Sequence, residues 1–192
     1  MDCVQSLPAG YRQIFSIDLQ QDKKLSLLVN LFSLALAVPV AILGLVLVPF
    51  SRLFEGSTPQ GLLLKLITLM LGTVGYIILH ELTHAAAMRA YGAGKLRFGF
   101  TGLYAYAGSE GDYFGKRAYL VIALAPLVVW GLIFALICAL VPVDWFWIFW
   151  MLQFMNISGA AGDIYVALRI GRLPPDLLVR DTGLAMTGYS AM

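Results

Sequence analysis

Four long apolar stretches organise the chain, at about residues 25–50, 62–90, 119–140 and 145–170, each close to or above the roughly 20 residues that a helix needs to cross a bilayer core. Polar, turn-forming segments separate them. The first link, Ser51 to Pro59, is short and contains Gly56 and Pro59, and the third, Val141-Pro142-Val143-Asp144, is shorter still. Both predict tight hairpins. The middle link, from Tyr91 to Ala118, is long and polar by comparison. Pro39 and Pro126 fall inside spans one and three, where neighbouring helices can satisfy the backbone groups that proline frees.

This pattern predicts an all-α polytopic membrane protein with four transmembrane helices, forming one membrane-embedded domain over residues 1–192. Residues 1–24 form a cytoplasmic leader and 171–192 a cytoplasmic tail. The leader carries Asp2, Asp18 and Asp22 with Pro8 and Gly10 and has no continuous apolar core, so it does not have the pattern of a cleavable signal peptide. Within the middle loop, Lys95-Leu96-Arg97-Phe98-Gly99-Phe100-Thr101-Gly102-Leu103-Tyr104-Ala105-Tyr106-Ala107 alternates aromatic with small or polar residues, which predicts a short β-hairpin. Its aromatics fit either a strand edge that holds an extended peptide or a belt at the membrane interface.

Composition supports the membrane reading: 60% of residues are hydrophobic and 12% charged. With 13 Lys and Arg against 11 Asp and Glu the net charge is +2, and nothing points to a nucleic-acid partner. The distribution of charge matters more. Arg12, Lys23 and Lys24 precede span one, Arg89, Lys95, Arg97, Lys116 and Arg117 lie between spans two and three, and Arg169, Arg172 and Arg180 follow span four. The opposite side has Arg52 and Lys65, the latter placed to snorkel outward. The positive-inside rule therefore orients both termini and the middle loop toward the cytoplasm of a multi-pass cell-membrane protein. Cys3 and Cys138 lie in different environments and form neither a CxxC pair nor an evident disulfide.

Ionisable groups inside an apolar span are costly, about 2.5 to 3.5 kcal/mol for an acid at the centre of a helix on the insertion scale. Span two nevertheless reads His80-Glu81-Leu82-Thr83-His84, and the chain's two histidines are the two of this motif. Residues four apart on a helix are separated by about 40° around the axis and roughly 6 Å along it, so both imidazoles can reach one cation while Glu81 flanks it. Catalytic zinc takes three protein ligands and keeps one position open. Beyond Glu81, the acid deep in a span is Asp163, which falls 18 positions past Trp145 just as His80 falls 18 past Leu62. The expected ligands are His80, His84 and Asp163, with Glu81 as catalytic acid/base. The alternative for Asp163 is an ion pair with Arg169 or Arg89. Gln153, Asn156 and Asp163 share a helix face, and Gly159, Ala160, Ala161 and Gly162 allow close packing of span two. Asn156 has two readings, support of substrate or oxyanion, and a structural amide at a helix interface.

Leu7-Pro8-Ala9-Gly10-Tyr11, His80-Glu81-Leu82-Thr83-His84, Ala125-Pro126-Leu127 and Asn156 through Gly162-Asp163 together resemble the bacterial putative zincin peptidases, over nearly the whole chain. More distantly the pattern is similar to the site-2 proteases, whose third ligand is an Asp in the motif Asn-x-x-Pro-x-x-x-Leu-Asp-Gly. Gly159 stands at the proline position here, and Asn156 precedes Asp163 by seven residues. The resemblance implies a zinc-dependent endopeptidase acting on a peptide or transmembrane protein substrate near the cytoplasmic side of the bilayer. Two other classes compete. A non-proteolytic scaffold or chaperone-like protein would keep the metal for structure, but such a site prefers four protein ligands and has no use for Glu81. A metal transporter would be expected to show a second site or an internal repeat, and the sequence has neither.

Overall fold

The computed structural model describes residues 3–18, 21–102 and 105–191. Three helices among these residues are long and apolar enough to cross a membrane: α1, Lys23–Leu47; α2, Pro59–Ala90; and α3, Lys116–Leu140. At 25, 32 and 25 residues, and about 1.5 Å per residue, each exceeds the roughly 30 Å of a hydrocarbon core. Their starts are encoded locally. Asp22 accepts a hydrogen bond from the Leu25 N–H at 3.0 Å, and Thr58 accepts from Gly61 N–H at 3.1 Å with Pro59 following it into the first turn. Leucines such as Leu31, Leu71 and Leu132 stand exposed along the outer faces of the three helices, where lipid rather than water suits them.

The fourth span is not one helix. It is divided into α4, Phe146–Gly159, and α5, Ala161–Gly171, with a break at Ala160. Two hydrogen bonds meet at the break: the Ser158 hydroxyl bonds back to the Phe154 carbonyl at 2.7 Å, while the Ser158 carbonyl accepts the Ser33 hydroxyl of α1, also at 2.7 Å. A side chain inserted into the helical ladder beside flexible Gly159 and Gly162 interrupts it. Trp150 of α4 lies against Gly44 of α1, where a Cβ would come within 2.2 Å of its indole nitrogen.

The all-α expectation is corrected more substantially by a five-stranded antiparallel sheet. It is built from β1, Cys3–Val4; β2, Arg12–Ile17; β5, Tyr113–Gly115; β6, Leu178–Asp181; and β7, Met186–Ser190, in the order β1-β5-β6-β7-β2. The leader and the tail, expected as separate segments, thus pair with each other and with the end of the middle loop. Alternation drives it: Phe15 and Ile17 of β2 and Met186 of β7 turn inward, onto Met88 of α2, Ile122 of α3 and Ile170 of α5. The hairpin expected between spans two and three forms from β3, Lys95–Phe100, and β4, Ala105–Glu110. Leu103 and Tyr104, between the two strands in sequence, lie outside the described residues.

At the opposite end Lys65 does not snorkel into the open. Its ammonium, almost fully buried, donates to the Leu53 carbonyl and Ser57 hydroxyl at 2.9 Å each and pairs with Asp144 at 3.0 Å. One cation joins both short hairpins.

Candidate metal centre

The motif lies two-thirds of the way along α2, so His80 and His84 occupy successive turns of one face, and their rings meet edge-on with centroids 5.0 Å apart. The break at Ala160 restarts the fourth span as α5 with Asp163 in its first turn, where the helix dipole favours a carboxylate. Asp163 Oδ2 lies 3.4 Å from His80 Nε2, and Oδ1 lies 3.6 Å from His84 Nε2. One ligand atom from each of the three residues fits within a 4.8 Å cluster. Arg169 and Arg89, the alternative partners for Asp163, are engaged elsewhere, with the Tyr165 hydroxyl and with the Ala93 and Gly94 carbonyls respectively.

The donor set suits zinc. Donors about 2.0–2.2 Å from a tetrahedral ion are roughly 3.3–3.6 Å apart, the separation that the imidazoles keep from the carboxylate. The hydrogen bonds behind the rings fit as well. His84 Nδ1 is 2.9 Å from the Ile122 carbonyl, which can only accept, so Nδ1 carries a proton and Nε2, on the side of Asp163, is the nitrogen left to bind a metal. His80 Nδ1 is 3.0 Å from the Tyr76 hydroxyl, which donates to Asn156 Oδ1 at 3.1 Å and is thereby free to accept from His80. Asn156 Nδ2 in turn donates to the Leu127 carbonyl at 3.1 Å. Both imidazoles therefore hold their outer nitrogen in a hydrogen bond and present Nε2 toward Asp163.

Asn156 is fully buried with both ends of its amide in use. It stands behind His80 and receives the Tyr76 hydroxyl. Gln153, on the same face, donates to the Gly131 carbonyl at 3.3 Å. Glu81 lines a cavity of about 250 Å³ together with His80, His84 and Asp163, and Ala105, Tyr106 and Ala107 of β4 line the same cavity. The hairpin is thus one wall of the site.

The other wall comes from the tail. Asp181 of β6 takes hydrogen bonds from the Tyr119 hydroxyl of α3 and, at 2.7 Å, from the Gly183 N–H, and burial holds its carboxyl above the usual carboxylate range. Gly108 of β4 permits the closure, since a Cβ there would fall 2.2 Å from the Thr182 backbone. On the helix side an apolar cavity of about 290 Å³, bounded by Tyr76, Ile77, Phe100 and Met155, adjoins the first and shares His80 and Glu81 with it.

Sequence reasoning missed Tyr76, Tyr119 and Asp181. Tyr76 had a signal, being four residues before His80 on the same face. Tyr119 and Asp181 are brought in by the sheet and had none. A family model described as "Putative zincin peptidase" matches residues 73–178, more than half of the chain and all of the metal cluster. No curated protein and no solved structure matches.

Proposed function

The chain belongs to the putative zincin peptidase family, and from that premise we propose that it is a membrane-embedded zinc metalloendopeptidase whose centre faces the cytoplasmic side. In this reading His80, His84 and Asp163 hold the ion and Glu81 is the catalytic acid/base. The single observation that carries it is the convergence of two imidazole nitrogens and a carboxylate on one point beside an acid that lines the same cavity.

Zinc, when bound, supplies a Lewis acid that polarises a carbonyl and makes water acidic enough to be deprotonated near neutral pH. The protein's own groups do the rest. Glu81 takes a proton from the attacking water at its carboxylate and passes it to the amide nitrogen of the leaving chain. Tyr76 and Asn156 hold His80 in one tautomer, and the Ile122 carbonyl does so for His84. The hairpin of β3 and β4 lines the cavity through Ala105, Tyr106 and Ala107 of β4, whose edge away from β3 pairs with no other strand among the described residues, so a substrate segment can pair with that edge in extended form. This matters because a helical segment hides its peptide bonds. The apolar cavity beside Tyr76 and Met155 suits an apolar side chain of a transmembrane substrate.

The test is zinc content by elemental analysis of protein purified in detergent without chelators, alongside proteolysis of model membrane substrates. Wild type and Glu81→Gln should each carry about one zinc per chain, as three ligands and an open position require, and Asp163→Ala should lose it. Glu81→Gln should lose about 10²- to 10⁴-fold in cleavage rate. Absence of zinc from the wild type would end the metallopeptidase reading.

A further inference from the structure

The partner of His84 Nδ1 is a backbone carbonyl in the middle of a helix, a group that ordinarily accepts from the N–H four residues on. For Ile122 that residue is Pro126, which has no N–H. The proline ring also crowds the carbonyl of the preceding turn and pushes it off the helix axis. Pro126 is fully buried, and α3 packs directly on α2 at this level. The carbonyl that the ring exposes is the one that takes the His84 proton at 2.9 Å.

We propose that Pro126 is a positioning residue of the metal centre: by withholding an N–H from the Ile122 carbonyl it reserves that carbonyl for His84 Nδ1, and so fixes His84 as the tautomer whose Nε2 lone pair faces Asp163. The inference rests on the reading of His84 as a metal ligand. A kink alone would not require this placement. Pro39 of α1 also sits inside a helix, where the carbonyl it frees is that of Ala35, and its neighbour Val40 packs in an aromatic cluster separate from the metal centre. A proline one position away in α3 would free a carbonyl about 100° around the helix, no longer aimed at His84.

Two substitutions separate the missing N–H from the ring. Pro126→Ala restores an N–H that competes for the Ile122 carbonyl. Replacement of Pro126 by lactic acid, incorporated as a backbone ester, has the alanine side chain but again no N–H. Zinc affinity is measured by competition with a chromophoric chelator, and the His84 tautomer by ¹⁵N chemical shifts of the metal-free protein at a pH where the imidazole is neutral, with Pro39→Ala as the control for loss of a helix proline. Pro126→Ala should bind zinc about 10- to 100-fold more weakly, the usual cost of losing an outer hydrogen bond to a ligand, and should show a mixture of His84 tautomers. The lactic-acid variant should return both readouts toward wild type, and Pro39→Ala should leave both unchanged.

Wild-type affinity and a single tautomer in Pro126→Ala would overturn the inference, as would a folded lactic-acid variant that binds as weakly as the alanine one. If Pro126→Ala does not fold, the lactic-acid variant decides alone. Should the wild type itself bind no zinc, the metallopeptidase reading fails, and the ¹⁵N readout still tests whether Pro126 sets the tautomer.

Discussion

The orientation of each imidazole is set by a group outside the three-residue cluster, and for His80 that group is the Tyr76 hydroxyl. Tyr76→Phe removes one oxygen and leaves the ring, which packs edge-on against His80 and Phe134. His80 Nδ1 then has no acceptor, and Asn156 Oδ1, buried, loses its donor, at a cost of about 1–3 kcal/mol in stability. Zinc should bind about 10- to 100-fold more weakly in Tyr76→Phe, as measured by chelator competition. Unchanged affinity in a folded variant would show that the relay through Asn156 does not orient His80. The four residues of the centre were legible in the sequence because an intramembrane acid or imidazole is costly and therefore conspicuous. Its outer groups were less so. A tyrosine in an apolar span looks like core, and a carbonyl freed by a proline appears only once the four-residue spacing between Ile122 and Pro126 is matched to the facing helix.

Helix interruption brings Asp163 to the centre at the start of a new turn, and Ser33 of α1 donates to the Ser158 carbonyl at that interruption. Without its hydroxyl the Ser158 carbonyl regains the option of an intrahelical bond, and α4 and α5 can join into one straighter helix. Ser33→Ala should therefore weaken zinc binding by displacing Asp163, while Ser33→Thr, which keeps the hydroxyl, should not. Equal zinc affinity in Ser33→Ala and wild type would mean that the glycines alone hold the break. The sequence announced an apolar fourth span and its small residues, but the partner that splits it is 125 positions away, beyond any local pattern. The sheet escaped for a related reason. Its strands are between two and six residues long and come from the two ends of the chain and the end of the middle loop, so the alternation of Phe15 and Ile17 or of Met186 and Ser190 is too brief to stand out beside spans of more than 20 residues.

For the molecule as a whole, the sheet has a topological consequence. Pairing of β2 with β7 and of β1 with β5 ties the leader, the end of the middle loop and the tail into one layer, while the Lys65–Asp144 pair ties the two short hairpins at the other end. Segments hydrogen-bonded in one sheet cannot lie on opposite sides of a bilayer. If α1, α2 and α3 cross it, both termini share a compartment with the hairpin of β3 and β4 and with the walls of the candidate centre. Of the 13 Lys and Arg residues, Arg52 and Lys65 alone fall at the other end, and such an imbalance near the span ends favours the cytoplasm for the sheet. Reporter fusions that are active in one compartment only, placed after residue 191, before residue 3 and between Gly102 and Ala105, should all report the cytoplasm, while one inserted at Gly56 should report the opposite side. A split between the two termini would be incompatible with the sheet itself. A uniform reversal would preserve the fold but place the centre on the outer face, where the substrates available to it would be secreted or periplasmic chains rather than cytoplasmic ones.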